Sequence, residues 1–174
     1  MPTEQEKVIA ALKYAIDMEQ EGKDFYLKAC SESSNDLGKK LLESLANQED
    51  YHRAKFEEIY ENIRKTHDWP PVKFKSDGGR TLRAIFAETE SSTCKPGNDS
   101  ELEILERARH MEGDSYDFYI KHSREAKSAA EREFFTTIAD EEHEHQLVLT
   151  DYLEYLKNPA GWFVMKERHS IDGG

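Results

Sequence analysis

Six residues combine types and spacing suited to holding metal ions: Glu19, Glu49, His52, Glu112, Glu142 and His145. Four carboxylates and two imidazoles make an oxygen- and nitrogen-rich donor set, which accepts divalent iron or manganese. Around two such cations, four ionised Glu and two neutral His sum to zero charge. Without cations, four converging buried carboxylates repel one another, and each unpaired one is costly. Glu-x-x-His occurs twice, at Glu49/His52 and Glu142/His145. Residues three apart on a helix lie about 4.5 Å apart along its axis, so both can reach one ion. The motif count alone decides little. With 7 His and 24 Glu in 174 residues, about one Glu-x-x-His arises by chance.

Position within the pattern decides more. A shift of 93 residues maps the first half of the chain onto the second without gaps. Leu12 falls on Leu105, Ala15 on Ala108, Met18 on Met111, Glu19 on Glu112 and Phe25-Tyr26 on Phe118-Tyr119. Leu41 then falls on Phe134, Leu45 on Ile138, Ala46 on Ala139, Glu49 on Glu142 and His52 on His145. This is a duplicated helix hairpin. Each of the six residues also lies on an apolar stripe. Leu41, Leu45, Glu49, His52, Phe56, Ile59 and Ile63 recur every three or four residues, which is the interior face of a helix. Phe134, Ile138, Glu142, His145, Leu149, Tyr152 and Leu156 do the same. Glu19 shares a stripe with Ile9, Leu12, Ile16 and Tyr26, and Glu112 shares one with Leu102, Leu105, Ala108 and Tyr119. Singly, each polar residue reads equally well as a solvated or salt-bridged one. Six in one register on four interior stripes read as a metal centre.

Four long helices must position them. The first runs from about Glu4 to Ser31, with Thr3 and Glu6 forming a capping box. The second runs from about Asp36 to Thr66 and stops before Trp69-Pro70-Pro71. The third covers about Ser100 to Glu125 and the fourth about Ser128 to Lys157, ending at Asn158-Pro159. Short polar turns make each pair an antiparallel hairpin. The whole is expected to be an all-α four-helix bundle in one domain, residues 1–174. Hairpin repeat 1 spans about 4–66, a long crossover 67–99, hairpin repeat 2 about 100–157 and a C-terminal tail 158–174. Leu82, Ile85 and Phe86 predict a short helix in the crossover. Trp162 and Phe163 in the tail suit capping of one bundle end, in preference to a subunit contact.

A net charge of −12 argues against nucleic acid or an anionic membrane as a partner, because either needs a basic face. Cys30 and Cys94 form no CxxC pair, which removes zinc-ribbon, rubredoxin-type and dithiol motifs; both are expected to be reduced thiols. No apolar run approaches the ~20 residues of a membrane span, nor does the start read as a signal peptide, so a cytoplasmic location is expected. His67, His110, His122, His143 and His169 lack repeat partners and are expected at the surface. Glu141 and Glu144 are expected to be exposed. Asp50 or Asp140 is a candidate to orient a ligating imidazole.

Met18-Glu19 to Phe25-Tyr26, followed by Ala46 to Glu49 and His52, resembles the rubrerythrin branch of the ferritin-like superfamily. Met111-Glu112 to Phe118-Tyr119 and Ala139 to Glu142 and His145 repeat the resemblance, which covers roughly residues 3–157. It implies a non-haem centre of two iron ions, with manganese or a mixed pair as alternatives. It also implies reaction with hydrogen peroxide or dioxygen in oxidative-stress defence, an external electron donor such as a rubredoxin-like protein, and a homodimer. Tyr26 and Tyr119 match the family's tyrosine near the iron site, or are core residues with satisfied hydroxyls. A ferroxidase or iron-storage protein and a non-catalytic metal-binding bundle remain as alternatives. Two departures stand out. The chain has no cysteines for a rubredoxin domain. Ser115 stands where the family has a further Glu, and its repeat mate is Gly22.

Overall fold

The computed structural model describes residues 1, 3–88 and 96–171, with the side chains of 166–171 left aside. Cys94 therefore lies outside the described residues, and so does the side chain of His169. Among the described residues there are six helices and no strand: α1 (Glu4–Glu32), α2 (Asp36–Thr66), α3 (Arg80–Ala87), α4 (Asp99–Glu125), α5 (Ala129–Lys157) and α6 (Pro159–Ile171).

Local chemistry starts and stops these helices where the sequence predicts. The Thr3 hydroxyl accepts from the Glu6 N–H while the Glu6 carboxylate takes the Thr3 N–H, and Asn98 with Glu101 repeats the device at α4. Asn35 and Ser128 cap α2 and α5 by accepting from Gly38 N–H (2.6 Å) and Glu131 N–H (3.1 Å). Each such cap satisfies an orphan amide and contributes about 1 kcal/mol. His67 ends α2 in the left-handed region, φ 66°, just ahead of Trp69-Pro70.

The tail departs from expectation in form. Pro159 ends α5 but opens α6, because its missing N–H costs nothing at a first helical position. Asn158 supplies the cap, its side chain accepting from the Gly161 N–H at 3.0 Å.

α1 packs along α2 and α4 along α5; α1 and α4 touch sparsely. All adjacent helices run antiparallel, in the up-down-down-up order that one long crossover imposes. The crossover climbs from the far end of α2 across α2 and α5. Trp69 packs against Phe135 (5.6 Å between rings), Phe74 against Phe134 (5.9 Å), and Phe86 of α3 against Tyr155 (5.6 Å). Leu82 and Phe86 are buried, as the predicted short helix requires. Gly97 N–H closes the path by donating to the Leu156 carbonyl at 3.1 Å.

The interior divides into two apolar clusters. One holds Leu45, Leu149, Tyr152, Leu156 and Trp162, the last stacked edge-on at 4.8 Å from Phe86. The other holds Leu12, Phe56, Ile59, Phe134 and Ile138. Full burial of each large side chain contributes about 1.5–3 kcal/mol. Between the two clusters, at mid-length, lies a layer of charge.

Candidate metal centre

Helical periodicity turns Glu19 of α1, Glu49 and His52 of α2, Glu112 of α4, and Glu142 and His145 of α5 inward, all at most 4% exposed. They gather as two groups. Glu19, Glu49, His52 and Glu142 form one, and Glu112, Glu142, His145 and Glu49 form the other, with ligand atoms of each group within 4.8 Å of one another. His52 Nδ1 lies 3.0 Å from Glu142 Oε1 and 3.4 Å from Glu19 Oε2. In mirrored fashion, His145 Nδ1 lies 3.3 Å from Glu49 Oε1 and 3.6 Å from Glu112 Oε1. The imidazoles stack with centroids 5.7 Å apart and planes 12° apart.

Sequence spacing leaves open which carboxylates serve both halves. Here Glu49 and Glu142, the glutamates of the Glu-x-x-His pairs, belong to both groups, while Glu19 and Glu112 each complete one.

The donor set fits divalent cations on an observation of the protein alone. Glu19 Oε2, Glu49 Oε1, both Glu142 carboxylate oxygens, His52 Nδ1 and His145 Nδ1 are buried without a hydrogen-bond partner. Six inward-facing atoms left unsatisfied in this way are costly unless a further ligand takes them up.

Protonation tells the same story. Burial pushes Glu49 and Glu142 well above the usual carboxylate range, reinforced by the neighbouring carboxylates. Burial would lower His145, but the Glu112 and Glu49 carboxylates raise it well above an ordinary imidazole. Burial would raise Glu112, yet the neighbouring His145 imidazole, with the bond donated by Tyr26, holds it below the usual range. Without a cation, the buried layer thus favours protons on Glu49, Glu142 and His145.

Tyr26 and Tyr119 are buried, and each hydroxyl reaches across the repeats. Tyr26 donates to Glu112 Oε1 and Tyr119 donates to Glu19 Oε1. Burial and the adjacent carboxylates push both phenols well above their ordinary value. The hydroxyls are thus donors that fix the two single glutamates, combining the packing and site readings.

Several outer residues fall differently from the sequence expectation. Asp140 is exposed, and Asp50 pairs with Lys23 (2.8 Å) and Arg53 (3.0 Å), so neither orients an imidazole. Gln48 does, its Oε1 accepting from His145 Nε2 at 3.0 Å. Glu141, expected in solvent, is 2% exposed because the crossover folds over it: Ser76 Oγ and Gly78 N–H donate to its Oε1. Glu144 is half-buried and pairs with Arg83. His122 is half-buried against Phe118 (4.4 Å) and Phe135 (5.4 Å), and burial lowers its pKa. His67, His110 and His143 are exposed as expected. One signal for the missed pair was available, since Gln48 and Glu141 occupy equivalent positions in the 93-residue register, each just ahead of a shared glutamate.

A bundle of two helix hairpins around a buried carboxylate–histidine cluster is a ferritin-like fold with a candidate metal site. The family model for rubrerythrin matches residues 10–153, and the chain belongs to the rubrerythrin family. Comparison with curated proteins and with solved structures gave no match. Among the described residues, no helix is long and apolar enough to cross a membrane.

Proposed function

We propose that the protein is a non-haem di-iron oxidoreductase of the rubrerythrin type, acting on hydrogen peroxide or dioxygen. Glu19 and His52 would hold one ion, Glu112 and His145 the other, and Glu49 and Glu142 both. The observation that supports this most is the pair of four-residue groups with six unsatisfied inward donors. Two ferrous ions, when bound, supply the two electrons that reduce one peroxide to two waters, the two protons coming from solvent.

The chain's own contribution is positioning. Tyr26 and Tyr119 keep their protons at neutral pH, so they hold the Glu112 and Glu19 carboxylates and cannot act as bases. Gln48 fixes the His145 ring through Nε2, which turns Nδ1 toward the cluster. The two apolar clusters above and below keep bulk water from the layer and strengthen every charge interaction within it.

Elemental analysis after anaerobic reconstitution, followed by stopped-flow mixing with peroxide, tests the proposal. Two metals per chain and oxidation faster than that of free Fe²⁺ are expected. Fewer than one metal per chain overturns the centre. Rapid oxidation by dioxygen with sluggish reaction toward peroxide redirects the function to ferroxidase chemistry.

A further inference from the structure

We propose that Glu141 is a positioning residue that clamps the crossover over the His52 half of the centre, making the two halves unequal despite their duplicated ligands. The inference rests on the metal-centre reading above.

The asymmetry begins in the register. Gln48 and Glu141 are repeat mates, and Gln48 accepts from the His145 ring. The same symmetry points Glu141 toward the His52 ring, but the carboxylate is spent on the crossover instead. Its Oε1 accepts from Ser76 Oγ and from the Gly78 N–H at 2.7 Å. Gly78 and Gly79 both adopt left-handed backbone, φ 57° and 69°, which lets the chain turn tightly enough to present that amide. A second pin comes from α2, where the Tyr51 hydroxyl accepts from the Lys75 N–H at 2.9 Å.

Both pins sit one residue before a cluster member, Tyr51 before His52 and Glu141 before Glu142. Residues 75–78 therefore bridge α2 and α5 at the level of the charge layer. Phe74, immediately before the bridge, lies 5.7 Å from the His52 ring and covers it. A carboxyl group at 2% exposure, committed to two donated bonds, is a costly way to hold a surface loop. Its return is a closed flank at His52, where His145 has a fixed amide.

The full chain, stripped of metal with chelator, tests the clamp by diethyl pyrocarbonate acylation of its imidazoles. Peptide mass spectrometry reads each histidine separately. Wild type is expected to protect both His52 and His145. Glu141→Ala removes both bonds to the strap, so local opening and His52 acylation should rise by about tenfold or more, while His145 stays within about twofold. Ser76→Ala, on the strap itself, should raise His52 acylation less, and Glu141→Gln, which keeps an acceptor oxygen, should stay close to wild type. Equal acceleration at both histidines, or none at His52 in either Ala variant, overturns the clamp. Manganese titration of the wild-type chain is run alongside. Failure to bind there overturns the centre itself, independently of the acylation result.

Discussion

Gly22 gives the sharpest test of how the centre is packed. It lies on the inner face of α1, and a Cβ built there falls 2.7 Å from Glu49 Oε2. Ordinary van der Waals contact begins near 3.4 Å, so in Gly22→Ala the carboxylate must retreat by about 0.7 Å, well beyond the ~0.2 Å tolerance of metal–ligand bonds. Glu49 belongs to both four-residue groups, so the shift touches both candidate metal positions. A displaced ligand of this kind costs about 10–100-fold in metal affinity, the scale seen when supporting contacts are lost. At metal a hundredfold above the wild-type Kd, binding stabilises the fold by about 2.7 kcal/mol per ion; a 10–100-fold loss leaves about 1.4–0.4 kcal/mol. The metal-free variant behaves otherwise. Alanine is about 1 kcal/mol better than glycine inside a helix, which offsets the cost of pushing back the end of a flexible side chain. Urea unfolding followed by helical circular dichroism, with and without manganese, separates the two effects. Metal-free stability is expected within about 1 kcal/mol of wild type, and metal-dependent stabilisation reduced at least by half. Undiminished stabilisation by metal refutes the reasoning, because Glu49 would then not be acting from the position it holds.

Protonation of the cluster gives a second prediction. Glu49 and Glu142 titrate above the ordinary 4.5 in the folded chain, and His145 above 6.5. The folded, metal-free protein therefore binds more protons than the unfolded chain, and its stability should fall as pH rises from about 4.5 upward. The lowered Glu112 acts in the opposite sense only as pH drops through its depressed value. Urea midpoints across that range check the slope, and Glu142→Gln, which mimics the neutral carboxyl, should flatten it. Because cations displace these protons, metal affinity should rise with pH, and calorimetry in buffers of different ionisation heat should show proton release. Tyr119→Phe removes the donor to Glu19 and should cost about 1–3 kcal/mol in metal-free unfolding, with Tyr26→Phe similar through Glu112. Phe56→Ala, at a fully buried position between Tyr119 and Phe134, should cost about 3–5 kcal/mol.

Much of this was legible in the sequence because it is periodic. Helices α1, α2, α4 and α5 follow from stripes at three- and four-residue steps, and their ends follow from the Thr3/Glu6 box, Trp69-Pro70-Pro71 and Asn158-Pro159. The ligand candidates follow from those stripes and the 93-residue register together. What escaped is the work of the crossover, which obeys no period. On helix spacing alone Glu141 belongs to an outer face; only the turn at Gly78-Gly79 brings the chain over it. His122 is likewise covered through aromatic contacts that no local pattern announces. The choice of Glu49 and Glu142 as the shared carboxylates depends on how two hairpins dock. No single helix carries that information. α6 was missed because Pro159 reads both as a helix breaker and as a helix start.

The crossed tyrosines bear on the order in which the molecule assembles. Tyr26 and Glu112 stand 86 residues apart in the chain, and Tyr119 and Glu19 stand 100 apart. Each hairpin can form from local contacts quickly, but neither contains a finished half of the charge layer, since every group borrows a glutamate from the other. Closing those long loops comes late and carries the larger entropic cost. Until the hairpins meet, the carboxylates face water, where protons and solvent serve them well. Only a chain with both long-range closures made presents two complete sets of donors. A ligand that needs all four helices at once then rewards the finished structure and no earlier one.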